Sequence, residues 1–325
     1  MAHEITKTDG LVLAEKTAWH GLGTVVDKAP TPYQALHIAG LDWEVKKAPL
    51  SADIDGTQVD MPSQYALYRD DTNEILGKCT ERYKILNNVE IADLVYDVAE
   101  SDNIEVETAG SLRGGKTVFF LLRLGSMGLQ NGDDVTNNYA FFRTGHTGED
   151  SLTVGLTPIR VVCANTERLA LRDEMLRLRH MGEVEYNLTE IRAQLGSLKD
   201  QAALFEQQME NAITTEWSQS MMAEYFTKVW SQTYGKMPQD SESIQFKRCE
   251  ETINTWQSYA DNHKYQENCR GTAYAAYQAV TQYATHDVNV RDMGNGMNDA
   301  RLVSTLMGTG DKLGKSAHTT LGLYL

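Results

Sequence analysis

NYAFFRTGHTGEDSLTVGLTPIRVVCANTERLALRDEMLRLRHM, residues 138–181, is the stretch whose reading decides the fold. It opens with an aromatic strand pattern at 138–144 and breaks at Gly145-His146-Thr147-Gly148. It resumes as an apolar, β-branched run over 151–163, with Gly155 and Pro158 placed where a bulge or a sheet edge is expected. The remainder predicts a helix. At about 100° per residue, Arg168, Arg172 and Arg179 fall on one stripe. Leu171, Met175 and Leu178 flank that stripe on one side, and Leu169 and Leu176 on the other. Arginines set amid apolar side chains need an anionic partner, because an unpaired buried charge is costly. A protein carboxylate or a phosphate would serve.

Working outward, Thr31-Pro32 predicts a capped helix start, and Gly40 its end. Residues 42–50 alternate as a strand, 64–69 and 74–80 form a hairpin pattern around Asp70-Asp71-Thr72-Asn73, and 82–86 extend that sheet. Asn88 reads as the cap of a helix whose apolar face is Ile91, Leu94, Val95 and Val98. Strands at 104–109 and 116–124 follow, joined by the basic tip Arg113-Gly114-Gly115-Lys116. From residue 187 the period changes to that of long helices, predicted at 188–212, 216–234, 240–262 and 269–285. Their tryptophans and tyrosines (Trp217, Trp230, Trp256, Tyr274, Tyr277, Tyr283) are the expected core of a bundle. The predicted fold is therefore α+β, an antiparallel sheet backed by helices and followed by a mostly helical C-terminal region. The expected division is an α+β domain at 1–182 with a candidate groove, a helical domain at 183–307 and a glycine-rich flexible tail at 308–325.

The 325 residues are 41% hydrophobic and 23% charged, the balance of a globular protein, and no apolar run nears the ~20 residues that span a bilayer. Four scattered cysteines without a C-x-x-C pair, and no basic-then-apolar leader, predict a reduced, cytoplasmic protein with no membrane partner. A net charge of −15 argues against indiscriminate DNA binding. The charge is uneven, however: residues 104–182 carry nine Lys/Arg and nine Asp/Glu, so the excess lies elsewhere. A neutral, arginine-rich centre permits a local anion site.

No catalytic pattern emerges. Gly308-Thr309-Gly310-Asp311-Lys312-Leu313-Gly314-Lys315-Ser316 has the composition of a phosphate loop but the wrong glycine spacing. The histidines form no ligand pair, there is no G-x-S-x-G elbow, and Cys163 sits in an apolar run. Neither metal nor cofactor is expected. The acidic pairs Asp70-Asp71, Asp133-Asp134 and Glu149-Asp150 lie in turns, and a metal-dependent nuclease acting through them is the one enzymatic alternative. His20 and His146 are loop histidines of the kind that more often hold structure than perform chemistry.

The features that remain are cationic and aromatic. Arg113 and Lys116 at the hairpin tip, Arg143, Arg160, and the stripe Arg168, Arg172 and Arg179 are the candidate phosphate contacts. Tyr139 and Phe142 are the candidate stacking residues beside them. Three segments carry a resemblance: Trp19-His20-Gly21-Leu22-Gly23, TPIRVVCANT at 157–166, and Gly271-Thr272-Ala273-Tyr274-Ala275 with Thr281-Gln282-Tyr283. They resemble the phage/plasmid-like proteins, a domain of unknown function, and imply a mobile-element setting. The order of hairpin, further antiparallel strands and basic helix is also similar to the core of the Rad-fifty-two superfamily of single-strand annealing proteins. That likeness implies a homo-oligomer, ring-shaped in that superfamily, holding single-stranded DNA without nucleotide. The expected function is single-stranded DNA binding and ATP-independent annealing in phage or plasmid recombination. The alternative is a non-enzymatic protein–protein module, a host-defence modulator or assembly factor, in which the stripe pairs with carboxylates.

Overall fold

Thr31 starts the first helix, α1 (Pro32–Ile38), through a reciprocal cap: its hydroxyl accepts from the Gln34 N–H while the Gln34 side chain accepts from the Thr31 N–H. The computed structural model describes residues 10–14, 24–102, 104–129, 134–160, 165–166, 176–179, 188–291, 300–301, 303–305 and 308–325. Trp19-His20-Gly21, Arg168 and Arg172 lie outside the described residues.

After α1 comes a three-stranded antiparallel sheet, β3 (Val45–Ile54), β4 (Thr57–Arg69) and β5 (Ile75–Thr80). Asp55 and Gly56, at φ 51° and 83°, make the tight β3–β4 turn, and Asn73 at φ 57° helps turn β4 into β5. The expected strand at 82–86 does not form; only Tyr83 makes an isolated bridge. The next helix, α2 (Asn88–Asp102), buries Ile91, Leu94, Val95 and Val98 as its period requires. Its cap is not Asn88. Glu90 reaches back to the Asn87 N–H at 2.7 Å, and Asn88 turns inward.

The main sheet has the order β10-β9-β8-β7-β6-β1-β2, with β11 also paired to β9. Its centre is an antiparallel meander of β6 (Glu105–Leu112), β7 (Thr117–Leu129), β8 (Asp134–Gly145) and β9 (Ser151–Arg160). Strand β1 (Leu11–Ala14) runs antiparallel to β6, and β2 (Thr24–Val26) lies parallel to β1 at the edge. Alternation sorts the side chains into two buried faces. Val106, Val118, Phe120, Leu122, Ala140, Phe142, Leu152 and Val154 face the helices, and Leu11, Leu13, Leu112, Phe119, Leu121, Tyr139 and Phe141 form a smaller cluster on the other side.

The predicted helix over 165–181 is overturned where the structure describes it. Asn165–Thr166 is strand β10 and Leu176–Arg179 is strand β11, both antiparallel to β9. Leu176-Arg177-Leu178-Arg179 alternates with period 2 as cleanly as it matches a helix, and β9 offers it an open edge. Arg179 therefore belongs to a strand, and the helical stripe does not exist as drawn.

The helical half consists of α3 (Leu188–Thr214), α4 (Gln219–Tyr234), α5 (Ile244–Asn262) and α6 (Ala273–His286), followed by α7 (Thr309–Leu321). Ser218, Ser243 and Thr272 cap α4, α5 and α6 with their hydroxyls. Helix α6 is central, buried along nearly its whole length among α3, α4, α5 and α7. Trp217, Trp256, Tyr274 and Tyr277 are buried in the core as expected, while Trp230 and Tyr283 sit partly covered beside it. A single apolar cluster runs from the small sheet through the main sheet into all five of these helices, so residue 182 separates two patterns and not two cores. The expected flexible tail is helix α7. It buries Leu313, Ala317 and Leu321, and Ala317 O accepts from the Tyr225 hydroxyl at 3.1 Å. A Cβ at Gly310 would stand 2.7 Å from Ala284 O, so this glycine serves close helix packing and not a phosphate loop. Among the described residues no helix is long and apolar enough to cross a membrane.

Candidate nucleic-acid interface

The tip joining β6 to β7 is a strained turn in which Arg113, Gly114 and Gly115 all have positive φ, at 57°, 71° and 90°. Glycine is needed twice over at 115, because a Cβ there would meet the Trp43 ring at 2.8 Å. Arg113 is exposed, and its guanidinium donates to Thr117 Oγ1 at 2.8 Å. Lys116 is half-buried one step further on.

A buried junction fixes this tip against the small sheet. Arg69, 2% exposed, makes a two-pronged pair with Asp71 at 2.8 and 3.0 Å and stacks 4.3 Å over the Trp43 ring. The hydrogen bonds from Arg69 hold the Asp71 carboxyl below the usual carboxylate range. The β8–β9 turn enters the same junction. The His146 N–H donates to Lys116 O at 2.9 Å, and its ring meets Trp43 edge-on. The Asn88 amide donates to Leu41 O and Trp43 O, so its oxygen faces His146 Nε2 at 2.9 Å, and that nitrogen must carry the proton. His146 is thus structural. His146→Ala should cost about 3 kcal/mol, through lost ring packing and an unsatisfied Asn88 oxygen. Denaturant unfolding checks this, and a loss below about 1 kcal/mol contradicts it.

Sheet register decides which of the sequence candidates meet. Arg143 on β8 stands opposite Phe119 on one side and Thr153 on the other, and Thr153 stands opposite Arg177 on β11. Arg179 pairs with Ser151. Arg113, Lys116, Arg143 and Arg179 therefore converge at one end of the main sheet. Arg160 does not join them. It pairs with Thr136 and Asn165 at the far end of β9, about 30 Å from Ser151 at ~3.3 Å per residue. The stacking pair is also divided. Tyr139 and Phe142 are three apart on one strand, so they point to opposite faces, and both are buried, at 2% and 0% exposure.

A polar ladder further along the same strands, towards the end where Arg160 stands, escapes sequence reading. Glu107, 7% exposed, accepts from the Tyr139 hydroxyl at 2.5 Å and from Arg123 Nε at 2.6 Å. Asn137 Nδ2 donates to the Tyr139 oxygen at 3.1 Å, and Ser126 donates to Asn137 Oδ1. Burial and the neighbouring Glu107 carboxylate raise the Tyr139 hydroxyl well above its ordinary value, so it stays protonated as a donor. The signal present in the sequence is that Phe119, Leu121 and Arg123 share one face of β7.

Fold and site together describe an α+β protein whose helix-backed sheet brings Arg113, Lys116, Arg143 and Arg179 to one end, with the carboxylates of Glu74 and Asp150 beside the same turns. A family model matches residues 75–306, and the chain belongs to the family described as Domain of unknown function (DUF932). Neither the curated proteins nor the solved structures include a match to it.

Proposed function

We propose that this protein binds single-stranded DNA and promotes annealing of complementary strands without ATP, as a self-associating component of phage or plasmid recombination. One observation carries the reading: strand register gathers Arg113, Lys116, Arg143 and Arg179, distant in sequence, at one end of the main sheet. Cations spaced across neighbouring strands suit a chain of phosphates, and each contact releases counterions. The meander followed by the long helix α3 packed against β7, β8 and β9 supports it further. The role is non-catalytic: cations hold an extended strand, and base pairing supplies the driving force for annealing. Arg168 and Arg172, which precede β11, extend the proposed contact set, and the buried rings of Tyr139 and Phe142 support the sheet instead of stacking bases.

The test is an annealing assay with complementary labelled oligonucleotides and no nucleotide. The wild type should accelerate annealing. The Arg113→Ala/Lys116→Ala/Arg143→Ala variant should bind single strands about 100-fold more weakly, three charge-assisted contacts at roughly 1 kcal/mol each, with its melting temperature confirming an intact fold. Unchanged affinity in that variant overturns the assignment. Magnesium-dependent cleavage of the oligonucleotide would instead establish the nuclease alternative.

A further inference from the structure

We draw no further inference here: the strongest candidate, the bare apolar face that Ile54 and Val59 form where β3 and β4 run on past Pro49 as a two-stranded ribbon, carries nothing, because nothing among the described residues shows what covers it.

Discussion

Glu107→Ala is expected to destabilise the protein by about 3 kcal/mol, near the low end of the cost of breaking a buried charge pair. The substitution strips the Tyr139 hydroxyl of its acceptor at 2.5 Å and Arg123 of its counter-charge at 2.6 Å. Tyr139 is buried and cannot recruit water, so its donor bears the full desolvation cost. The Arg123 side chain is 34% exposed and rehydrates in part, which keeps the loss from running higher. Glu107→Gln keeps an acceptor and should cost less, and Tyr139→Phe about 1 kcal/mol. Denaturant unfolding of the three variants reads the order directly. A Glu107→Ala loss below about 1 kcal/mol would mean that the ladder contributes little.

Acid should weaken the fold through His318. This ring lies on α7 against Phe205 and Tyr277, and burial pushes its pKa down to about 4 from the ordinary 6.5. The unfolded chain takes up the proton first, so stability is unaffected by this group above pH 6.5 and falls as pH drops below it. The loss grows until the folded state also protonates near pH 4, and reaches about 3 kcal/mol at 1.36 kcal/mol per unit. His318→Gln should flatten this part of the stability profile, whatever its cost at neutral pH. Unfolding free energies at pH 7, 5.5 and 4 decide it, and an unchanged slope in the variant excludes His318 as the source.

The α+β class, the meander and the helical half are legible because each is written in an unbroken period with its own caps. Thr31 with Pro32 and the glycines of the β6–β7 tip mark true boundaries, whereas the helix predicted from 269 starts only after its Thr272 cap. The failures have local physical causes. Leu176–Arg179 satisfies two periods at once, and only the free edge of β9 selects the strand. The glycines of α7 look like a mobile tail until Gly310 is seen pressed against Ala284 O. The continuation of β3 and β4 past residue 50 had a sequence signal, the Asp55-Gly56 pair suited to a two-residue turn, in the segment between the strands predicted at 42–50 and 64–69.

The site divides in the same way. Arg113 and Lys116 are legible because a hairpin tip is a local feature. Arg143 and Arg179 join them only through register across three strands. The separation of Tyr139 from Phe142 follows from their odd spacing once 138–144 is accepted as a strand. The Glu107–Arg123 pair is the least accessible to sequence, because a register shift between Val106 and Thr108 sets the position of Glu107 on its strand.

The most direct measurement is equilibrium binding of a labelled single-stranded oligonucleotide as salt is raised. With three to four phosphate contacts at the end of the main sheet, log affinity should fall against log salt with a slope of about −2 to −3, at ~0.7 per contact. Removing Arg113 and Lys116 should reduce that slope by more than one. No binding at low salt, or a slope that ignores these two residues, would contradict a nucleic-acid role for this surface.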